Sequence, residues 1–247
     1  MSRRAALLAA SLLLAAAARP AAADRFRLDL EGGATWQLRN DFAVPGDAGT
    51  RLSIDDANGG PFAAVRGTLW YDLGPRSSLR LLAAPLRTTA TLRPAGPVAF
   101  NGTVFPAGTP LDVTWVFNSY RLSWVHRFRS GGPVTFRAGL TAKVRDAKIE
   151  LSGGGVTSAK TNTGFVPLLY GGVKWQMTDT LALDLDVDAL GASQGRAEDA
   201  SLRLEARLSP RVDVFAGVRT LEGGADNDEV YSFAWLTYAV GGVSIRF

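Results

Sequence analysis

Apolar and polar residues alternate with a period of two along most of this chain. The segment RFRLDLEGGATWQL, residues 25–38, follows this pattern, and so do LALDLDVDA, residues 181–189, and SLRLEARL, residues 201–208. Side chains of a β-strand point alternately to its two faces, so the pattern predicts strands with one apolar and one polar face. After residue 23, no apolar run reaches the length of about 20 residues that a membrane-spanning helix needs.

The links between the predicted strands alternate in length. Ten strands are predicted, near residues 25–38, 61–73, 78–92, 113–128, 133–146, 163–176, 180–190, 199–208, 211–221 and 230–247. Four links, GPRSS, RSGGP, MTDT and SPR, are tight, whereas the five around residues 39–60, 93–112, 147–162, 191–198 and 222–229 are longer. Outer-membrane-type barrels have short turns at one end, longer loops at the other and an even strand number. The predicted fold class is all-β, a closed antiparallel up-and-down transmembrane β-barrel of ten strands, with eight or twelve as alternatives.

The third predicted strand fits the alternation worst. It contains a double leucine and Pro85, which cannot donate a hydrogen bond to a neighbouring strand and prefers edges or bulges. We therefore expect a β-bulge at Pro85.

The apolar face of the predicted barrel is expected to contact lipid, because a charged residue there costs about 2–4 kcal/mol at the bilayer midplane. Aromatic residues should then collect at the two membrane interfaces. Two such girdles are predicted on the outward face, and they include Trp36, Tyr71, Trp124, Phe128, Trp175 and Trp235.

Residues 1–23 have the composition of a secretory signal peptide. Arg3 and Arg4 precede AALLAASLLLAAAA, and Ala21 to Ala23 fit a small-residue cleavage site. We predict a cleaved signal at residues 1–23 and one barrel domain at residues 24–247. Without the signal the net charge falls from +4 to +1, so the basic composition does not indicate a nucleic-acid partner. The chain has no cysteine, so the exported domain is expected to fold without disulfides.

The signal, the alternating strands and the terminal VSIRF together resemble bacterial outer-membrane β-barrel proteins. The resemblance implies a location in the outer membrane, with the lipid bilayer and lipopolysaccharide as surroundings. It also implies that Val243, Ile245 and Phe247 form the signal read by the barrel-assembly machinery. It covers the whole predicted barrel domain but names no specific family, and barrels of this architecture serve unrelated functions.

The polar face of the predicted strands is strongly charged, with Glu31, Arg121 and Arg219 among its residues, and it is expected to line the lumen. The predicted lumen network comprises Arg66, Arg137, Lys143, Lys174, Asp184, Asp186, Asp188, Arg203, Glu205 and Arg207. Ionised groups in a narrow lumen need partners of opposite charge, which favours a salt-bridge plug. Alternatively, the three aspartates could line a narrow path for ions or small polar solutes. The predicted function is a non-catalytic structural or narrow porin-like barrel.

Two other functions stay open. A surface-binding or adhesion barrel would act through the loops at 39–60 and 93–112, which carry Phe42, Phe100 and Phe105. A lipid-modifying enzyme is less favoured, because the chain's single histidine, His126, is predicted to face outward in an aromatic girdle. No cofactor and no metal site are expected. Acidic clusters such as Asp226–Glu229 are interpreted as solvated turns, since they lack the spacing of a calcium-binding loop.

Overall fold

The computed structural model describes residues 25–128, 132–192 and 195–247. The predicted signal peptide, residues 1–23, and part of the RSGGP link lie outside these described residues. The strands are β1 (Phe26–Ala43), β2 (Leu52–Ser53), β3 (Phe62–Asp72), β4 (Ser77–Ala84), β5 (Arg87–Leu92), β6 (Val98–Phe100), β7 (Thr103–Phe105), β8 (Leu111–Phe128), β9 (Val134–Gly153), β10 (Val156–Gln176), β11 (Leu181–Ala192), β12 (Gly195–Arg207), β13 (Val212–Asn227) and β14 (Val230–Arg246). No helix in the described part of the chain is long and apolar enough to cross a membrane.

The strands close into an antiparallel ring. Each wall strand pairs with its sequence neighbour, and β14 closes the ring by pairing with β1 from Arg27↔Arg246 to Ala43↔Tyr231. With β4 and β5 counted as one interrupted wall strand, the described ring has ten strands. The predicted fold class is confirmed. We call the end that holds Phe26 and Phe247 the turn end, and the opposite end the loop end.

The irregularity at Pro85 is a break and not the expected β-bulge. β4 and β5 pair with β8 in the same register, Ala84↔Ser119 and Arg87↔Val116, so no extra residue is inserted. The strands separate on the other side, because β3 pairs with β4 only as far as Gly67↔Ala83 and does not pair with β5. The register shift lies in β1, between Gln37 and Arg39.

Several wall strands are longer than the sequence pattern predicted. β9 and β10 continue to a two-residue turn at Gly154 and Gly155, whose φ angles of 58° and 80° suit glycine. Most of the predicted loop at 147–162 is therefore strand, and much of 191–198 and 222–229 is strand as well. In the β9 extension the apolar face switches from the exterior to the lumen side, where Ile149 and Leu151 are buried in a core cluster, and the other extensions are rich in glycine and polar residues, so the strand ends could not be located from the pattern.

The barrel exterior carries the apolar face of the strands. Exposed leucine, valine and aromatic side chains surround the ring, and Leu122, Leu169 and Val218 are examples. All six predicted girdle residues lie on this exterior: Trp36, Trp124, Phe128, Trp175 and Trp235 are exposed, and Tyr71 packs 4.8 Å from the ring of Phe26. Val243 and Ile245 pair with β1, and Phe247 stacks on Phe26 at 5.7 Å. Their role as an assembly signal stays a prediction.

The two long segments at the loop end fold onto the inner wall and form an apolar cluster. The β6–β7 hairpin is tied to the segment after β1 by backbone hydrogen bonds, including Asn101 N to Val44 O at 2.8 Å. Phe42, Phe100 and Phe105 are 0–1% exposed in this cluster. The expectation that these three phenylalanines are presented to an extracellular partner is therefore wrong, because they form the core that holds the loops to the barrel.

Candidate functional site: the charged lumen

Asp199 of β12 is the centre of an ion-pair cluster that crosses the lumen. Its carboxylate lies 2.9 Å from Arg66, 2.7 Å from Arg121 and 2.6 Å from Arg219. Glu31 of β1 continues the cluster, since it accepts two hydrogen bonds from Arg219, at 3.1 and 3.0 Å. These side chains come from strands on opposite sides of the ring, so the contacts span the lumen.

Asp188 of β11 extends the same cluster to another side of the barrel. Its carboxylate lies 2.5 Å from Arg80 and 2.9 Å from Arg121, and it accepts a hydrogen bond of 2.7 Å from Thr141. Arg121 thus bridges Asp188 and Asp199. The upper cluster consists of Glu31, Arg66, Arg80, Arg121, Asp188, Asp199 and Arg219, which come from seven of the ten wall strands.

A second cluster lies nearer the turn end. Arg203 lies 3.5 Å from Asp184 and 3.3 Å from Asp186, and Arg137 also pairs with both aspartates. Lys174 faces Asp184 in the strand register, but its ammonium group contacts Glu205. The lower cluster consists of Arg137, Lys174, Asp184, Asp186, Arg203 and Glu205. We call the upper and lower clusters together the plug.

The plug leaves little free space in the lumen. The cavity within it measures about 30 Å³, which is close to the volume of one water molecule in liquid. A cavity of about 130 Å³, lined by Arg27 and Arg127 among others, lies on its turn-end side. A larger cavity of about 410 Å³ lies on its loop-end side, and we call this the cup. The lumen is thus two chambers with a filled section between them.

The structure brings eight of the ten predicted lumen residues into the plug, and the other two lie elsewhere. Arg207 lies at the turn end, where its half-exposed guanidinium is 3.8 Å from Asp213. Lys143 lines the cup, and its ammonium group lies 4.9 Å from the ring of Phe117. Whether any of these residues serves transport stays a prediction.

Sequence analysis missed Arg80 and Asp199, which are central to the upper cluster. Asp199 shares its parity with Arg203 and Glu205. Continuing the alternation of SLRLEARL back by two positions from residue 201 would have placed Asp199 in the lumen. Arg80 lies in β4, which belongs to the predicted strand that contains Pro85. The double leucine in that predicted strand obscured which face was inward.

His126 lies on the exterior near the turn end, between the rings of Trp124 and Phe128. Its Nδ1 is 3.3 Å from Oγ of Ser77 on the neighbouring strand. No hydrogen bond or ion pair joins His126 to a carboxylate of the described chain. A serine hydrolase also needs a third group to orient the histidine and donors for the oxyanion.

No protein-family model matches the chain. No curated protein matches it either. Among solved structures, the outer membrane protease OmpT of Escherichia coli is similar, with a TM-score of 0.57 and 9% identity over 94% of this chain and 100% of OmpT. The chain thus shares the closed antiparallel β-barrel fold of this outer membrane protein. The transport unit of the autotransporter AIDA-I from Escherichia coli gives a TM-score of 0.48 at 8% identity, over 97% of each chain. The translocator domain of the autotransporter NalP from Neisseria meningitidis gives 0.46 at 12% identity, over 99% of this chain and 96% of that one.

Ligand sites commonly measure about 300–1,000 Å³. Among the lumen cavities of the described residues, the cup alone reaches this size. Trp115 and Phe117 form part of its wall, and their rings stack 5.5 Å apart. Arg121, Lys143 and Arg145 lie at adjacent positions on β8 and β9 where the cup meets the plug. The cup therefore combines an apolar wall with a cationic floor.

Proposed function

We propose that this chain is a non-catalytic barrel of the bacterial outer membrane whose lumen is closed to solutes and whose cup opens at the loop end. The observation that carries the proposal is the upper cluster. It fills the middle of the lumen with ion pairs from seven wall strands.

The geometry of the plug supports a closed lumen over a conducting one. A selectivity filter needs charged groups that are free to bind a passing ion and then release it. Asp184 is fully buried and Asp188 nearly so, and each is held by two arginines within the plug. An entering cation would have to displace these arginines in a section with room for about one water molecule.

The apolar exterior supports a location in the membrane. Exposed apolar side chains surround the ring, and aromatic residues lie near both of its ends. A closed ring pairs the wall strands with one another, which suits a medium that offers no hydrogen bonds.

The position of His126 supports a non-catalytic barrel. OmpT is a protease, but an identity of 9% shows a shared fold and not a shared activity. His126 lies outside the lumen beside Ser77 and has no carboxylate partner in the described chain. We expect that the protein has no peptidase or lipase activity that depends on His126. A peptidase or lipase activity that is present in the unmodified protein and lost in His126→Ala would overturn this part of the proposal.

Liposome swelling tests the closed lumen. Liposomes containing the refolded protein should swell in a pentose or an amino acid no faster than protein-free liposomes. The variant Arg121→Ala with Asp199→Ala removes two buried, paired charged side chains from the centre of the plug and should admit the same solutes. A gel-mobility shift on heating would show that both proteins are folded. Fast swelling with the unmodified protein would contradict the proposal.

A further inference from the structure

We propose that the cup binds a small organic anion through Lys143, with Arg145 as a second cationic contact. The site lies on the loop-end side of the plug, so it goes beyond the closed lumen proposed above. Anion binding and solute passage are also measured separately, so one can fail without the other.

Lys143 is a buried lysine whose ammonium group has no ion-pair partner among the described residues. It is 4% exposed, and among the described residues no carboxylate or hydrogen-bond acceptor contacts its ammonium group. Its nearest polarisable partner is the ring of Phe117, at 4.9 Å. An isolated buried charge is costly, and such groups normally have a partner of opposite sign. An anion in the cup would supply that partner.

The buried acids that line the cup are already engaged, and its other acids, Glu198 and Glu222, are not buried. Asp188 and Asp199 also line the cup, but their oxygens contact Arg80, Arg121 and Arg219 as well as Thr141. Neither carboxylate forms an ion pair or a hydrogen bond with Lys143.

Neighbouring cations raise the positive charge at the floor of the cup. Lys143 lies directly across from Arg121 in the β8–β9 register, and Arg145 lies across from Ser119. Like charges on paired strands repel one another unless something neutralises them. Arg145 is held by Asn162 and has no carboxylate partner among the described residues. The guanidinium group of Arg145 is thus a second donor for a bound anion.

The walls and size of the cup define the class of ligand. The volume of about 410 Å³ exceeds what an inorganic ion needs, and Trp115 and Phe117 offer flat apolar surfaces. The site therefore suits a carboxylate, sulfonate or phosphate group that is joined to a compact apolar or aromatic body. Such a group belongs either to a soluble organic anion or to the phosphate-bearing part of lipopolysaccharide.

Calorimetric titration of the refolded full chain in detergent tests the site, with benzenesulfonate as the probe. Benzenesulfonate should bind saturably, and benzenesulfonamide, its uncharged analogue, should bind at least about tenfold more weakly, a difference of about 1.4 kcal/mol. If lipopolysaccharide competes with benzenesulfonate, the natural anion is a lipid phosphate. If lipopolysaccharide does not compete, the natural anion is a soluble one. Absence of saturable benzenesulfonate binding by folded protein would overturn the proposal.

Two lysine variants locate the binding energy. Lys143→Met keeps the length of the side chain and should weaken benzenesulfonate binding by about tenfold or more, because a charge-assisted hydrogen bond is lost. Folding should survive, since no ion pair is broken. The matched control is Lys160→Met, because Lys160 also lines the cup but already pairs with Glu229 at 3.3 Å. Equal weakening in both variants would mean that general positive charge, and not the Lys143 site, binds the probe.

Discussion

Replacing Asp199 by asparagine should destabilise the barrel more than the same change in an exposed ion pair. Asp199 is 5% exposed, and its carboxylate contacts three arginines within 2.9 Å. After the substitution, Arg121 keeps Asp188 and Arg219 keeps Glu31, whereas Arg66 keeps only a contact of 3.7 Å with Glu31. Removing one partner of a buried ion pair costs about 3–5 kcal/mol, because the remaining charge is left without compensation.

The loss can be measured as the change in unfolding free energy in guanidinium, with the protein folded in lipid vesicles and followed by tryptophan fluorescence. The matched control is Asp72→Asn at the turn end, whose carboxylate pairs with Arg127 while both side chains are more than one-third exposed. An exposed pair contributes about 0–1 kcal/mol. Adding Arg66→Met to Asp199→Asn should recover part of the loss, because the uncompensated guanidinium is then removed. Equal costs for Asp199→Asn and Asp72→Asn would refute the view that Asp199 organises the plug.

Four further substitutions test other parts of the structure. Val218→Arg places a charge on the apolar exterior of the ring, where the Val218 side chain is 59% exposed, and should cost about 2–4 kcal/mol in vesicles. By contrast, Val104→Arg on the β6–β7 hairpin, where the side chain is 69% exposed, should change stability by about 0.5 kcal/mol or less. Asn58→Ala should cost about 0.5–1.5 kcal/mol in the same unfolding assay, because Asn58 Nδ2 donates to the backbone of β5 at 2.8 Å, beside the unpaired edge of β3. Phe247→Ala removes the ring that stacks 5.7 Å from Phe26 and should lower the fraction of protein that refolds to a heat-modifiable barrel. An unchanged folded yield would show that this contact is dispensable.

The barrel was predictable because the two faces of each strand differ so clearly. In residues 181–189, every second residue is aspartate or alanine and the others are apolar, so facing and register follow from the alternation. The closure of β1 on β14 follows as well, since an unpaired edge in hydrocarbon is too costly to persist.

The loop end could not be predicted in the same way. In residues 147–152 the apolar residues Ile149 and Leu151 lie on the lumen side and the outer face is polar, and three glycines follow, so residues 147–162 were interpreted as a loop although they form a long hairpin. The phenylalanines of the first two loops gave no sign of whether they point outward or fold back. Their burial depends on contacts with Leu111 and Trp115, which are distant in sequence from Phe42.

The partners within the lumen were also beyond the sequence. Alternation places a charge on the inward face, but the contacts of Asp199 with Arg66 and Arg219 cross the ring and depend on strand tilt and side-chain reach. The tight MTDT turn places Lys174 across from Asp184, as the structure confirms, but the sequence does not show that Lys174 contacts Glu205 or that Lys143 has no ion-pair partner.

Single-channel conductance in planar bilayers tests the closed lumen most directly. The refolded protein, shown to be inserted and folded, should give no discrete current steps in concentrated salt. The variant with Asp184, Asp186 and Asp188 all replaced by Asn breaks ion pairs in both clusters and should give steps or an unstable baseline. Discrete steps from the unmodified protein, with an ion selectivity that changes in the triple variant, would contradict the account and make the aspartates the filter of an open path.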